Sequence, residues 1–283
     1  MEKPIVIFYE MDPLSPTKEN TFFIRETFHS PRPKEAPPPP IHRHPFYEMI
    51  LVLEGEGTMT IDFKDHPITR GALYTMSPSQ IHLPIVTKDF KAFLLRFDLS
   101  VFQDNEFFDN LSIFNFDFLQ VDEENLPALT SLMKSLCDEY SHERTLKHCT
   151  LSNLLKILLI KIQRLLPDVV NEATHTTLFA ALNKAIETNR FKITTPSDYA
   201  KKLRVPIKKL HTSVKEYTGL SCGEYIRSKT IIEAKRLLSY TALNAKEIAF
   251  ALGFDDAAYF SRFFKRETTF SPVDFRKQIN QQK

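Results

Sequence analysis

The feature that most limits how this 283-residue chain can fold is an internal repeat near its carboxyl end. Ala200, Leu203 and Val205 match Ala249, Leu252 and Phe254 at an offset of 49. Leu210, Val214, Lys215, Leu220, Ser221 and Tyr225 then match Phe260, Phe264, Lys265, Phe270, Ser271 and Phe275 at an offset of 50. The extra residue falls in a turn, where an insertion disturbs least. In the downstream copy, Ile248, Ala249 and Leu252 give a short helix one apolar stripe that stops at Gly253. Asp255 or Asp256 then stands where an N-cap belongs, and Phe260, Phe263 and Phe264 give the next helix its own buried face. Each copy reads as two short helices joined by a tight turn. Between the copies, Cys222 to Tyr240 reads as one helix, roughly 28 Å long at 1.5 Å per residue.

That arrangement matches the double helix in scale. The major groove of B-DNA, about 12 Å wide, admits one helix while its partner braces it against the backbone. Successive groove segments on one face of a duplex lie roughly 34 Å apart, which a connector of this length suits. With its three phenylalanines inward, the downstream reading helix presents Asp256, Ala257, Ala258, Ser261, Arg262 and Lys265. Arg262 fits the edge of a guanine, Lys265 a phosphate, and Ala257 or Ala258 a thymine methyl. The upstream helix, 207–217, buries Leu210 and Val214 and presents Lys208, His211, Thr212 and Lys215. One such pair alone would equally be an ordinary helical hairpin with solvated charges; the duplication argues otherwise. Charge follows the same division. The formal net charge of +2 hides 20 Lys and Arg against 11 Asp and Glu in residues 171–283, net +9, and 17 against 24 in residues 1–170, net −7. A basic half beside an acidic one fits a phosphate-binding domain joined to a domain with other duties.

The run EAKRLL, then IA, LGF, YFSR, FKR and SPVDFR resembles the signature of the AraC/XylS family of bacterial transcription regulators, over about Thr177 to Lys277. The resemblance implies double-stranded promoter DNA as partner, contact with RNA polymerase as an activator, and a homodimer. Two positions depart from the family pattern. Thr269 stands where a helix-ending glycine is usual, a place Gly219 fills upstream, and Arg204 replaces a common turn glycine. A β-branched residue suits positive φ poorly, so the turn at Thr269 is expected to differ.

Upstream, the period changes. Residues 1–30 hold short alternating stretches such as TFFIRETF, which read as edge strands or a packing arm, and Pro37 to Pro40 reads as a stiff extended lead-in. From Ile41 to Asp98 the pattern is all-β. IHRHPFYEMILVLEGEGTMTIDF reads as two strands joined around Gly55 to Gly57, DHPITRGALYTMSP as another pair, and DFKAFLLRFDL as one more, together a small barrel or jelly roll. The spacing of His42, His44, Glu48 and Gly55 resembles the first cupin motif, and Gly71, Pro78 and His82 a looser second one. His42, His44, Glu48, Ile50 and Val52 share one strand parity and so one face, the barrel interior. His42, His44, Glu48 and His82 are therefore the candidate residues for a small-molecule effector. No metal or other cofactor is expected; if a metal binds, Zn or Fe on these four is the chemistry that fits.

The phenylalanines of 102–118 read as closing one end of the barrel, 122–140 as a helix, and 146–166 as a second helix whose wide apolar face covers the barrel in part, the remainder serving a dimer partner, as the resemblance implies, or a purely intramolecular role. The expected architecture has two domains. An N-terminal all-β cupin-like barrel plus helices occupies residues 1–166 (barrel about 20–100, helices about 122–166), 167–176 is a linker, and 177–283 is an all-α domain with two helix-turn-helix units. Three cysteines without paired spacing, no basic and apolar leader, and no stretch of 18 uninterrupted apolar residues point to a cytoplasmic protein with no membrane partner. The expected function is effector-responsive, sequence-specific DNA binding, without enzymatic activity. The competing readings are a cupin metalloenzyme with an accessory DNA-binding domain, and a regulator whose barrel only dimerises.

Overall fold

Alternating apolar residues and glycine corners build the N-terminal part. The structure, a computed structural model, describes residues 22–30, 46–78, 80–102, 106–109, 111–166, 173–192 and 194–281. The stretches expected as a leading arm before residue 22 and as a proline-rich lead-in at 37–40 lie outside these, as do His42 and His44. Eight strands run β1 (Phe22–His29), β2 (Tyr47–Glu54), β3 (Gly57–Ile61), β4 (Lys64–Ile68), β5 (Ala72–Met76), β6 (His82–Val86), β7 (Phe90–Phe97) and β8 (Phe118–Gln120). They form two antiparallel sheets, in the orders β1-β7-β2-β5-β8 and β4-β3-β6.

The strands joined around Gly55 to Gly57 do not pair with each other: β2 pairs with β5 and β7, β3 with β4 and β6. The chain changes sheet there, and again at Gly71 between β4 and β5. Both corners need glycine. Gly57 has φ 149° and a Cβ on it would lie 2.1 Å from the Ile85 carbonyl oxygen, while Gly71 has φ 80° with the Val121 oxygen 2.5 Å from any Cβ. These switches turn a run of short strands into a jelly roll rather than a row of hairpins. Phe23, Ile50, Val52, Met59, Ile61, Tyr74, Met76 and Leu94 fill the interior, each burial contributing about 1.5–3 kcal/mol. Pro67 and Pro84 sit in β4 and β6, the two edges of the smaller sheet, where a missing N–H leaves the central ladder intact. Pro84 is what hides β6 from a reading of the sequence.

The phenylalanine-rich segment carries a short helix α1 (Glu106–Asp109) and packs on the outer side of the β2 and β7 ends. Tyr47 and Phe97, cross-strand partners stacked at 5.5 Å, receive Phe108 and Phe114, each 4.7 Å from the Tyr47 ring. The rings thus cover that end of the sheet from outside. Helices α2 (Leu126–Ser141) and α3 (Lys147–Gln163) follow, shorter than the expected 122–140 and 146–166. Leu146 sits at φ 62° before α3, outside helical geometry. One stripe of α3, with Leu151, Leu155, Leu158 and Ile162, is buried, whereas Ile157 and Ile160 on another side are exposed, as is Leu146 just before the helix.

The C-terminal part is all helix: α4 (Ala173–Thr188), α5 (Pro196–Lys202), α6 (Ile207–Thr218), α7 (Cys222–Tyr240), α8 (Ala245–Ala251), α9 (Ala257–Thr268) and α10 (Pro272–Gln281). The chain divides into two compact units at about residue 171. Helix α4 takes in residues 173–176, which composition assigns to a linker; 167–172 lie outside the described residues. The repeat extends to the caps. Thr195 with Asp198, and Asn244 with Glu247, form capping boxes at the starts of α5 and α8, 49 residues apart. Ser221 and Ser271 each accept from the backbone N–H three residues on, at the starts of α7 and α10. Arg276 of the SPVDFR run reaches across to α7, donating from Nε to the Leu238 carbonyl at 2.7 Å and from Nη2 to that of Thr241 at 3.3 Å. It thereby satisfies carbonyls that a helix end leaves unpaired.

Candidate nucleic-acid interface and effector site

Helices α8 and α9 meet through a turn in which Gly253 has φ 76°, and α5 and α6 through one in which Arg204 has φ 56°. Each turn residue donates its N–H to a carbonyl three residues back at 3.1 Å. The replacement of glycine by arginine therefore leaves the turn unchanged. The same holds at the helix ends, against expectation. Thr269 has φ 69° and Gly219 φ 71°, and their N–H groups bond to the carbonyls of Lys265 and Lys215, each at 2.8 Å. The same helix-ending hydrogen bond thus holds a left-handed residue in both copies, an exposed threonine in one and an exposed glycine in the other.

In α9, Phe260, Phe263 and Phe264 are buried and stack with Phe254 and Phe275 at 5.1–5.9 Å. This core fixes which side faces out. Ala258, Arg262 and Lys265 form the outermost line at three- and four-residue spacing, all exposed, with Ala257 and Ser261 half-buried on one shoulder. Asp256 is exposed but is the helix N-cap, accepting from the N–H groups of Ala258 at 2.8 Å and Tyr259 at 3.2 Å. Its carboxylate also lies 3.8 Å from Arg262 Nη2, which aims the guanidinium along the start of the helix. Ser261 donates to the Ala257 carbonyl within the helix at 2.9 Å. In α6, with Leu210 and Val214 buried, Lys208, Thr212 and Lys215 make the corresponding line and His211 a shoulder. Sequence reasoning missed Tyr259 and Ile207, 49% and 44% exposed on these same surfaces. A helical projection of the sequence, with the buried positions fixed, finds both.

Inside the barrel the described candidates converge. Glu48 on β2 is fully buried and His82 on β6 nearly so, with His82 Nε2 3.1 Å from Glu48 Oε1. The third member was not foreseen. Arg96, directly opposite Glu48 in the β2–β7 register and buried, donates from Nε to Glu48 Oε2 at 2.5 Å, its guanidinium 5.3 Å from the Phe46 ring centre. Finding it requires the strand pairing, which residue spacing does not supply. Among the described residues no group of three His, Cys, Asp or Glu stands ready to hold a metal ion. The chemistry of the pair agrees. A divalent ion bonded at about 2 Å to either Glu48 oxygen would lie about 4–6 Å from the Arg96 charge, a repulsion of about 5–8 kcal/mol at an effective dielectric constant of 20. The carboxylate that would attract the ion is already neutralised, so the residues seen here do not fit a metal.

Residues 33–155 match the family model described as an AraC-like ligand binding domain, and residues 199–278 match that of a helix-turn-helix domain. The HTH-type transcriptional activator RhaR of Mannheimia succiniciproducens is 25% identical over 261 residues, covering 86% of this chain and 89% of its own. The HTH-type transcriptional activator RhaS of Yersinia pestis is 24% identical over 257 residues, covering 85% and 90%. Among solved structures, ToxT of Vibrio cholerae aligns with 13% identity and a TM-score of 0.43, over 90% of this chain and 98% of that one.

Proposed function

Because the chain belongs to the AraC family of transcription regulators, with a ligand-binding domain followed by a helix-turn-helix domain, we propose that it is an effector-responsive activator working in the cytoplasm. The observation that carries this reading is the pair of outward faces on α6 and α9, held by equivalent caps and turns. Lys208, His211, Thr212 and Lys215 face one groove segment and Ala257, Ala258, Arg262 and Lys265 the next, with Asp256 and Ser261 orienting them. Arg262 reads a base and Lys215 and Lys265 hold phosphates. The sensor comprises residues 1–166, the linker 167–176 and the reader 177–283, with α4 beginning inside the linker. Glu48 and His82 border the effector site together with His42 and His44.

A homodimer is supported by the exposed line of Asn153, Ile157 and Ile160 on α3, at four- and three-residue spacing, which suits a second helix. Charging it with Ile157→Glu should convert dimers to monomers in sedimentation; dimers that persist would place the interface elsewhere. Contact with RNA polymerase accords with the activator relatives. The decisive experiment sequences genomic fragments retained by the full chain at about 150 mM salt, near the physiological ionic strength at which exposed charges are screened. A shared motif with two half-sites one helical turn apart supports the reading. Fragments without any common sequence would overturn it.

A further inference from the structure

A metal on the cupin-like residues would place its charge at Glu48 and His82, yet the positive charge there belongs to the chain, on Arg96. We propose that Arg96 is the built-in cation of this barrel: its guanidinium takes the place of a divalent ion on the Glu48–His82 pair and closes that pair to metal. Three observations meet here. Glu48, Arg96 and His82 are 0%, 7% and 3% exposed, so the carboxylate is inside the barrel and must be paired there. The Nε–Oε2 and Nε2–Oε1 contacts, 2.5 and 3.1 Å, use both carboxylate oxygens. Glu48 and Arg96 stand on the five-stranded sheet and His82 on the three-stranded one, so the cluster ties the two sheets together face to face, as a metal ion shared by both would. The Arg96 tie is a charge-assisted hydrogen bond and the His82 contact lies at ion-pair distance, and neither needs an ion from solution.

The consequence is a latent metal site. Removing the charge while keeping the volume should open Glu48 and His82 to a transition metal; keeping the charge should not. The test titrates the untagged full chain with Co²⁺ and follows its visible absorption, with circular dichroism as the check on folding. The wild type and Arg96→Lys should show no Co²⁺ band that depends on Glu48. Arg96→Gln should bind Co²⁺ at least roughly tenfold more tightly than the wild type, a step of 1.4 kcal/mol, and lose the band again in Arg96→Gln with Glu48→Gln. A folded Arg96→Gln chain with no gain overturns the proposal. So does a wild-type chain that binds one Co²⁺ and loses it in Glu48→Gln. The wild-type titration decides the matter even if the Arg96 variants do not fold, because a Glu48-dependent site beside an intact Arg96 contradicts the proposal directly, and its absence is the result expected.

Discussion

The two helix-turn-helix units solve one geometric problem with different residues. Each needs a left-handed residue in its turn and another after its reading helix. The upstream unit has Arg204 at the first place and Gly219 at the second, and the downstream unit has Gly253 and Thr269. Each copy holds one glycine and forces one side chain into strain, at opposite ends. Their cores differ in the same way. Leu210, Val214 and Tyr225 upstream become Phe260, Phe264 and Phe275 downstream, with Phe254 for Val205. The outward lines differ too: Lys208, Thr212 and Lys215 against Ala258, Arg262 and Lys265. On the proposed reading, the small side chains at the leading end of α9 would let its backbone come close to the bases, which Lys208 in α6 would prevent. The backbone path is thus common to both copies, while core filling and outward residues differ between them.

The largest difference between the units should appear in stability. Phe264→Ala empties a fully buried ring and is expected to cost about 3–5 kcal/mol, while Val214→Ala at the equivalent place costs about 2 kcal/mol. Hydrogen exchange of α8 to α10 and of α5 to α7 in the full chain measures the two losses separately. Equal losses would mean that the aromatic core contributes nothing beyond its aliphatic counterpart. Next comes base reading. Arg262→Ala should lose about 1–3 kcal/mol and relax preference at one operator position. Thr212→Ala, its upstream equivalent, should change affinity little. The comparison breaks if the two variants shift the same panel of operator sequences alike.

How much of this was legible beforehand depended on the range of the interaction. The helices of the repeat were readable because their period, caps and breakers are local: Cys222 to Tyr240 is read from the sequence and found in the fold as the same residues. Most strands were readable for the same reason, β6 with its Pro84 and the short β8 excepted, but not their partners. Nothing within a few residues of Gly55 or Gly71 says that the chain crosses to the other sheet, so the jelly-roll pairing and the meeting of Glu48 with Arg96, 48 residues away, stayed hidden. Thr269 fails in the opposite sense. Local propensity argued for a changed turn, yet the helix-ending hydrogen bond to Lys265 and the left-handed cap are kept.

Smaller effects test the finer parts of the division. Lys215→Ala removes one phosphate contact and should weaken all sequences alike, lowering the slope of log affinity against log salt by about 0.9, or roughly fivefold in affinity at physiological salt. A base-dependent loss instead would move Lys215 into the reading set and make the units more alike than proposed. The smallest expected effect is a reciprocal exchange at the helix ends. A Cβ on Gly219 meets nothing within 4 Å, so Gly219→Thr carries only the conformational cost of positive φ, about 1 kcal/mol. Thr269→Gly releases the same strain but frees the unfolded chain, leaving a gain of about 0.5 kcal/mol. Denaturant midpoints should therefore move in opposite directions for two changes at equivalent positions. If Thr269→Gly destabilises instead, the threonine side chain holds its turn through contacts of its own, and the two units differ in how the turn is built as well as in what fills it.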